Sequence, residues 1–152
     1  MGDLRIIGLE GAASGVTVQA QFNPTEIVVV RLVDWRVQPK KGPTDLDYIT
    51  TAPKAMTFEL LFDGFESGIP VQPHIAKLHQ LSDVDRDLKR PPKVRVSFGS
   101  DRIAGVIPKL EAVIEAVSVR YLMFNESGVA LRANVMLKFK EADDLKIGKA
   151  IA

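Results

Sequence analysis

Hydrophobic and polar residues alternate without interruption near the end of the chain. One set of positions is apolar: Val129, Leu131, Ala133, Val135, Leu137 and Phe139. The intervening set contains most of the polar residues, with Arg132, Asn134, Met136, Lys138 and Lys140 among its members. A period of two predicts a β-strand with one face in the core and the other face toward solvent or a partner. Such a strand is about twice the usual length, which favours a wall or a ring.

Two alternating segments near the start of the chain predict a β-hairpin. They are Leu4 to Leu9 and Val16 to Phe22, and they flank a turn of small residues over 11–15 in which glycines permit positive φ angles. Asn23-Pro24 ends the second segment because proline has no N–H for the strand ladder.

The next apolar segment, Ile27 to Val33, is almost wholly β-branched. This composition is typical of a strand that is covered on both faces. Residues 34–53 follow as the longest irregular stretch and carry Trp35, the only tryptophan. Long structureless loops are uncommon in compact domains and tend to be functional or disordered. We therefore expect the 34–53 loop to pack either on its own chain or on a neighbouring one.

The middle of the chain predicts a strand over 57–63, one short amphipathic helix over about 72–83, and a strand over 93–98. The helix begins near Pro73 and places Ile75, Leu78 and Leu81 at a spacing of three. The strand over 93–98 follows two stiffening prolines, Pro91 and Pro92.

Residues 110–124 fit two patterns. Leu110, Val113, Ile114 and Val117 have helical spacing, whereas Val119, Tyr121 and Met123 alternate as in a strand. We interpret the segment as one long strand with a bulge near Ala116, because it pairs naturally through the turn 125–128 with the final strand. The pattern predicts a mainly β (α+β) fold, a β sandwich or barrel with one flanking α-helix, in a single domain over residues 1–152.

Composition describes an ordinary soluble domain and gives little support for several classes of partner. The 152 residues are 46% hydrophobic and 26% charged, with a net charge of +1. The near-neutral charge predicts no nucleic-acid partner. The first residues do not resemble a signal peptide, and no apolar run approaches the roughly 20 residues that span a bilayer. We expect cytoplasmic synthesis and no direct membrane insertion.

Residues that could carry chemistry have simpler explanations. His74 and His79 are five positions apart on the predicted helix and do not share a face. Residues 83–87 imitate the opening of a calcium loop but lack its glycine and its glutamate, which favours a solvated acidic turn. Glu111 and Glu115 are too far apart along a strand for a glycosidase pair. We predict no cofactor, no metal site and no enzymatic activity.

Several short motifs, weak one by one, together resemble the tube-domain family of contractile injection systems. They are Phe22-Asn23-Pro24, Phe58 to Asp63, Arg90 to Val94 with Phe98-Gly99, Phe124 to Gly128, Leu131 to Ala133, and Lys138 to Glu141. The resemblance covers residues 15 to 142. It implies a tail-tube fold with two packed sheets and one helix, and it implies that six copies form a ring.

The family members that this chain resembles most act as a tube initiator or baseplate adaptor. In that role the hexameric ring lies at the base of the inner tube and joins tube subunits to the spike or hub protein and other baseplate proteins. Assembly into a phage-tail-like particle follows, with the particle either released or membrane-anchored. Many such adaptors continue into a LysM module; after its last family motif this chain has only the extension 142–152.

Two alternatives stay open at this stage: the repeating inner-tube subunit, and a small-ligand or peptidoglycan-binding β domain. The assembly hypothesis assigns interface residues to the 34–53 loop and to the polar face of the last strand. They are Trp35, Arg36, Lys40, Lys41, Tyr48, Arg132, Asn134, Lys138 and Lys140.

Overall fold

The computed structural model describes residues 3–37, 46–51, 54–99 and 110–142. The strands are β1 (Leu4–Gly8), β2 (Thr17–Gln19), β3 (Ile27–Val30), β4 (Val33–Val37), β5 (Leu46–Thr51), β6 (Ala55–Asp63), β7 (Val94–Phe98), β8 (Leu110–Phe124) and β9 (Ala130–Glu141). The α-helix α1 covers Gln72–Ser82. The predicted mainly β fold with one flanking helix is confirmed for these residues.

Seven strands form one antiparallel sheet in the order β2-β1-β7-β8-β9-β6-β3, and β4 pairs with β5 in a separate two-stranded ribbon. The interpretation of 34–53 as irregular is therefore wrong where β4 and β5 pair. The signal for β4 was present, because Val33, Trp35 and Val37 alternate with Asp34 and Arg36 at a period of two. The predicted C-terminal extension lies outside the described residues from position 143 onward.

The β8–β9 hairpin was predicted closely. β8 is one strand, and its pairing with β9 shifts between Ile114 and Ala116, where a bulge was expected. The Asn125 side chain closes the hairpin turn by accepting hydrogen bonds from the N–H groups of Ser127 and Val129, at 2.9 and 3.0 Å. Val129 was expected in the core and is 37% exposed, because it belongs to the turn and precedes the first residue of β9.

Two prolines determine where the sheet divides into layers. Within the described residues, β7 pairs with β8 only opposite Leu110 to Ala112. Pro91 and Pro92 precede β7 and have no N–H to donate, so β7 cannot follow β8 further in that direction. The bulge then bends β8 away from β7. We call β8, β9, β6 and β3 the four-stranded layer; β2, β1 and β7 form the second layer.

The core lies between these two layers and under α1. One cluster joins Leu4 and Val96 of the second layer to Phe58 and Leu137 of the four-stranded layer. The helix contributes its predicted apolar stripe, Ile75, Leu78 and Leu81, each with 0% exposure. Each such side chain stabilises the fold by roughly 1.5–3 kcal/mol through burial.

A side-chain amide joins the two layers on the side away from β8. Gln21, just after β2, donates from Nε2 to the Asp63 carbonyl and accepts the Asp63 N–H at Oε1, each at 2.8 Å. Asp63 is the last residue of β6, so this pair of bonds holds the ends of two distant strands together. The sheet is thereby curled around its core.

The turn after α1 is anchored by buried and half-buried charges. Arg90 makes two parallel bonds to the Glu10 carboxylate, at 2.9 and 3.0 Å, and the Lys93 N–H donates to the same carboxylate at 2.7 Å. Asp85 accepts the N–H groups of Ala12 and Leu88 at 2.8 and 3.1 Å. The acidic segment 83–87 is thus a hydrogen-bonded anchor as well as a turn, which the predicted solvated turn did not include.

Candidate assembly surface

β8 has an open edge along most of its length. On one side it pairs with β9 from Ala112 to Phe124. On the other side β7 leaves it after Ala112, and no other strand of the described residues pairs with residues 113–124. Backbone N–H and C=O groups along such an edge are available to another strand. The exposed side chains Tyr121, Met123 and Phe124 lie at its far end.

β3 forms the opposite edge of the four-stranded layer. It pairs with β6 alone in the described residues, from Ile27 opposite Phe58 to Val30 opposite Ala55. Val28, Val29 and Val30 are 44%, 47% and 44% exposed. Native edge strands are usually short, charged or covered, because an apolar edge invites pairing with another chain.

The expectation that Ile27 to Val33 forms a strand covered on both faces is wrong for the isolated chain. The segment is divided between β3 and β4, and Leu32 between them is 67% exposed. Val28 and Val30 lie on the non-core face, and Val29 lies on the core face of the last strand of the sheet, so neither face of β3 is fully covered within the described residues. The apolar pattern did predict a strand correctly, but no described residue of this chain covers its outer edge.

The predicted interface residues of 34–53 are only partly described. Trp35 lies on β4 opposite Tyr48 of β5 and is 55% exposed. Arg36 pairs with Asp47 through the backbone, and the side chains of Arg36 and Tyr48 are not described. Lys40 and Lys41 lie outside the described residues.

The predicted residues of β9 share one face, as expected. Arg132, Asn134, Lys138 and Lys140 lie on the face of the four-stranded layer opposite the core, which we call the non-core face. Alternate residues on the other face, such as Leu137 with 0% exposure, are buried. The structure therefore brings these four side chains together on one surface of the sheet.

Several charges on this side of the sheet are neutralised within the chain. Arg132 donates to Asp63 at 2.9 Å, Arg95 donates to Glu111 at 3.1 Å, and Lys138 lies 3.9 Å from Glu115. The pKa of the Asp63 carboxyl is lowered, chiefly by the Phe65 N–H that it accepts and then by Arg132. The carboxylates Glu111 and Glu115 are thus ion-pair partners on a surface, in line with their interpretation as surface or interface charges.

A groove of about 710 Å³ lies where β6 ends, between residues after β2 and the start of α1. It is lined by Phe22, Ile69 and His74 among others. His74 stacks on Phe62 with ring centroids 4.6 Å apart, and burial lowers the pKa of His74. The groove is the feature that a ligand-binding domain would need, but the polar atoms of Gln21 and Asp63 in its wall are already bonded to each other or to Arg132.

The described residues do not assemble a metal-binding group of three or more histidine, cysteine or acidic side chains. In the same part of the chain, no helix has the length and apolar character needed to cross a membrane. The surface offers backbone hydrogen bonding at two edges, apolar contact on β3, and charges on the non-core face.

The open edge of β8 was missed by sequence reasoning. Its signal was present in the two prolines before β7. Because proline has no N–H for the ladder, β7 can begin only after Pro92 and cannot pair along the whole length of β8, which has 15 residues. The exposure of β3 had no local signal, since strand order in a sheet depends on contacts between distant segments.

The model of a protein family described as contractile injection system tube protein matches residues 8–150 of this chain. No curated protein matches the chain. The match covers the four-stranded layer, α1, the β4–β5 ribbon and, in the second layer, β2 and β7 but only the last residue of β1. It therefore includes β3 and β8, which form the two open edges.

Proposed function

The chain belongs to the contractile injection system tube protein family, and from this premise we propose that it forms a hexameric ring at the base of the inner tube. In this role the ring joins the spike or hub protein to the first ring of tube subunits. The chain would be made and assembled in the cytoplasm as part of a phage-tail-like particle. The family is one of structural tube proteins and is not an enzyme class.

One observation is the main support for the ring. Among the described residues, the four-stranded layer ends in an open edge on both sides. Its strands alternate in direction, so β8 and β3 run opposite to each other. When copies are related by rotation about one axis, β3 of one copy meets β8 of the next in antiparallel orientation. Such a head-to-tail contact repeats until the ring closes, and closure pairs both open edges of the four-stranded layer.

The same contact would place the non-core face on the inner wall. The core and α1 lie on the other side of the four-stranded layer, so a closed ring of these layers has the polar residues Asn134, Lys138 and Lys140 toward its channel. A wall of mixed and partly neutralised charges suits a channel through which other molecules pass without tight binding. In this arrangement the β8–β9 hairpin forms part of the channel wall.

Chemical cross-linking tests the ring and its contact together. The chain has no cysteine, so Val28→Cys on the β3 edge and Ser118→Cys on the β8 edge can be joined by a short bismaleimide. We expect the double variant to give a ladder of cross-linked species that ends at the hexamer, and each single variant to give none. A purified protein that stays monomeric at high concentration, and also when mixed with its tube and spike partners, would overturn the proposal.

The repeating inner-tube subunit is the second candidate, because the same two edges would close either kind of ring. Gold-labelled antibody on assembled particles separates the two roles. Label confined to one end of the tube supports the initiator, whereas label along the whole tube supports the repeating subunit.

A ligand-binding domain is the candidate from another class, and the groove near His74 is the observation in its favour. Sedimentation with purified peptidoglycan, and calorimetry with soluble muropeptides, test it. Binding that is lost in an Ile69→Asp variant would favour this role.

A further inference from the structure

We propose that Arg120 at the β8 edge forms ion pairs with Glu26 and Glu59 at the β3 edge of the next copy. This inference rests on the proposed ring and names the charged contact that selects which edges meet. The occupant of each edge is thus a second copy of this chain.

Some charges on the non-core face have an ion-pair partner within the chain, and others have none. Near the middle of the layer, Lys138 and Arg132 have carboxylate partners within the chain. Glu26, Glu59 and Arg120 are all exposed and have no ion-pair partner among the described residues. Among the charges without partners, Glu26 and Glu59 lie at or next to the β3 edge and Arg120 lies on the β8 edge. Lys140 in the middle of the layer and Arg31 directly after β3 are also exposed and without an ion-pair partner among the described residues.

The two acidic residues, Glu26 and Glu59, lie side by side. Glu26 precedes β3, and the register that pairs Ile27 with Phe58 places Glu26 beside Glu59. Both line the same shallow pocket of about 300 Å³ on the non-core face, together with Val28, Thr57 and Met136. Two carboxylates on neighbouring strands repel each other, so a cation brought to this pocket gains attraction from both.

Arg120 on the opposite edge lies at nearly the same position along the strands as the acidic pair. Glu59 pairs with Met136, and Met136 pairs with Ser118 across the layer. Arg120 is two residues beyond Ser118 and lies on the same face of β8. When β8 of one copy lies beside β3 of the next, Arg120 is thus one diagonal step from Glu26, a separation that a long side chain spans. Glu59 lies one strand further away, on β6 beside Glu26. A guanidinium can bond to two carboxylates at once because it has five N–H donors.

Charge reversal in two separate variants tests the contact. We expect Arg120→Glu to raise the protein concentration for half-assembly about tenfold or more, because it places like charges together at every interface. The double variant Glu26→Lys/Glu59→Lys has the same defect with opposite signs. Arg86→Glu is the matched control, since it reverses an exposed charge in the turn after α1, away from both edges.

Mixing the two defective variants gives the decisive result. In a ring that alternates them, one kind of interface has the original acidic pocket against Arg120, and the other has the two introduced lysines against the introduced carboxylate of the Arg120→Glu chain. Both are attractive, so we expect equimolar mixtures to assemble at the wild-type concentration when neither variant does alone. Native mass spectrometry should then show three copies of each variant in a hexamer, because only an even ring can alternate.

Several outcomes would overturn the inference. Assembly of Arg120→Glu at the wild-type concentration would show that the residue lies outside the contact, and so would a mixture that stays unassembled although each variant has a wild-type melting curve. The ring is tested separately by the Val28→Cys/Ser118→Cys cross-link, in which Glu26, Glu59 and Arg120 are unchanged. The charge contact can therefore be wrong while the ring is correct. Assembly of wild-type protein that does not weaken between about 0.05 and about 0.5 M salt would also count against an exposed ion pair.

Discussion

β9 and β3 are both apolar strands of one sheet, yet they end in opposite environments. Val135 and Leu137 on the core face of β9 are fully buried, with 0% exposure, whereas Val29 on the core face of β3 is 47% exposed. β9 lies between β8 and β6, and its apolar face meets the core; in the part of the chain that the structure describes, β3 has β6 on one side and no neighbour on the other. A hydrophobic pattern thus predicts that a strand will be covered, but it does not say which chain covers it.

Substitutions in these two strands should separate folding from assembly. A change in β9 acts on the chain alone, because its apolar face is closed within the monomer. A change at the β3 edge should leave the monomer folded and act only when copies meet.

Leu137→Asp should prevent folding. The substitution removes a fully buried side chain next to Phe58 and places a carboxylate in the core, at a cost of roughly 4 kcal/mol or more. Typical domains have a free energy of unfolding of about 5–15 kcal/mol, so a cost of this size removes much of the stability of a domain at the lower end of that range. Asn134→Asp, on the non-core face of the same strand, is the matched control and should leave the monomer folded. Circular dichroism melting curves provide the check, and equal stability of the two variants would show that the faces of β9 are assigned incorrectly.

Val28→Lys should abolish ring formation while the monomer keeps its melting temperature. Lysine on an edge strand opposes pairing with another chain because a charge must be desolvated at the contact. Val84→Lys is the control, since Val84 is also exposed, at 68%, but lies in the turn after α1. Size-exclusion chromatography with light scattering measures the ring fraction. A loss of monomer stability in Val28→Lys would instead assign β3 a structural role within its own chain.

The folding pattern could be predicted from sequence where each signal was local. The long β8 strand, its bulge near Ala116 and the helix stripe at Ile75, Leu78 and Leu81 all depend on residues close in sequence, and all are confirmed. The open edges could not be predicted in the same way. They depend on strand order and on the point where β7 leaves β8, which are set by pairing between distant segments.

The assembly residues were predicted in part for the same reason. Lys138 and Arg132 were found because alternation along β9 fixes their face, and the ion pairs that partly neutralise them required the cross-strand register. Arg120 was not selected, because a single arginine in an alternating strand has no distinguishing pattern. Only its place at an open edge, opposite to Glu26 and Glu59 in the layer, distinguishes it.

Trp35→Ala should weaken assembly by on the order of 2 kcal/mol per interface if the tryptophan docks on an adjacent subunit. Trp35 is 55% exposed on β4, so its removal from the monomer should cost less than removal of a buried aromatic residue. Phe65→Ala is the matched control, because Phe65 is 49% exposed in the turn after β6. Concentration-dependent sedimentation measures assembly, and chemical unfolding measures the monomer. Equal losses in both would place Trp35 in the monomer's own packing.

The smallest effect concerns a charge pair that is covered within its own chain, in contrast to the proposed pairs between copies. Arg90 and Glu10 are only 15% and 24% exposed, so Arg90→Met should cost about 1.5 kcal/mol in the free energy of unfolding. Arg95→Met is the control, because Arg95 and Glu111 are 39% and 49% exposed and should contribute about 0.5 kcal/mol or less. Neither substitution should change ring formation.

The pH dependence of the monomer tests the same pair. The Arg90 hydrogen bond, followed by the Lys93 N–H and the nearby positive charges, holds the pKa of Glu10 below its ordinary value of 4.5 despite the opposing effect of burial. A carboxyl whose pKa is lower in the folded state binds fewer protons there, so its stabilisation is present above pH 4.5 and is lost as the pH falls through the folded pKa. Arg90→Met should therefore reduce the loss of stability in acid, measured by urea unfolding on both sides of that value. An unchanged acid dependence in Arg90→Met would mean that other carboxyls, such as Asp85 with its lowered pKa, dominate the acid response and that the Glu10–Arg90 pair contributes little.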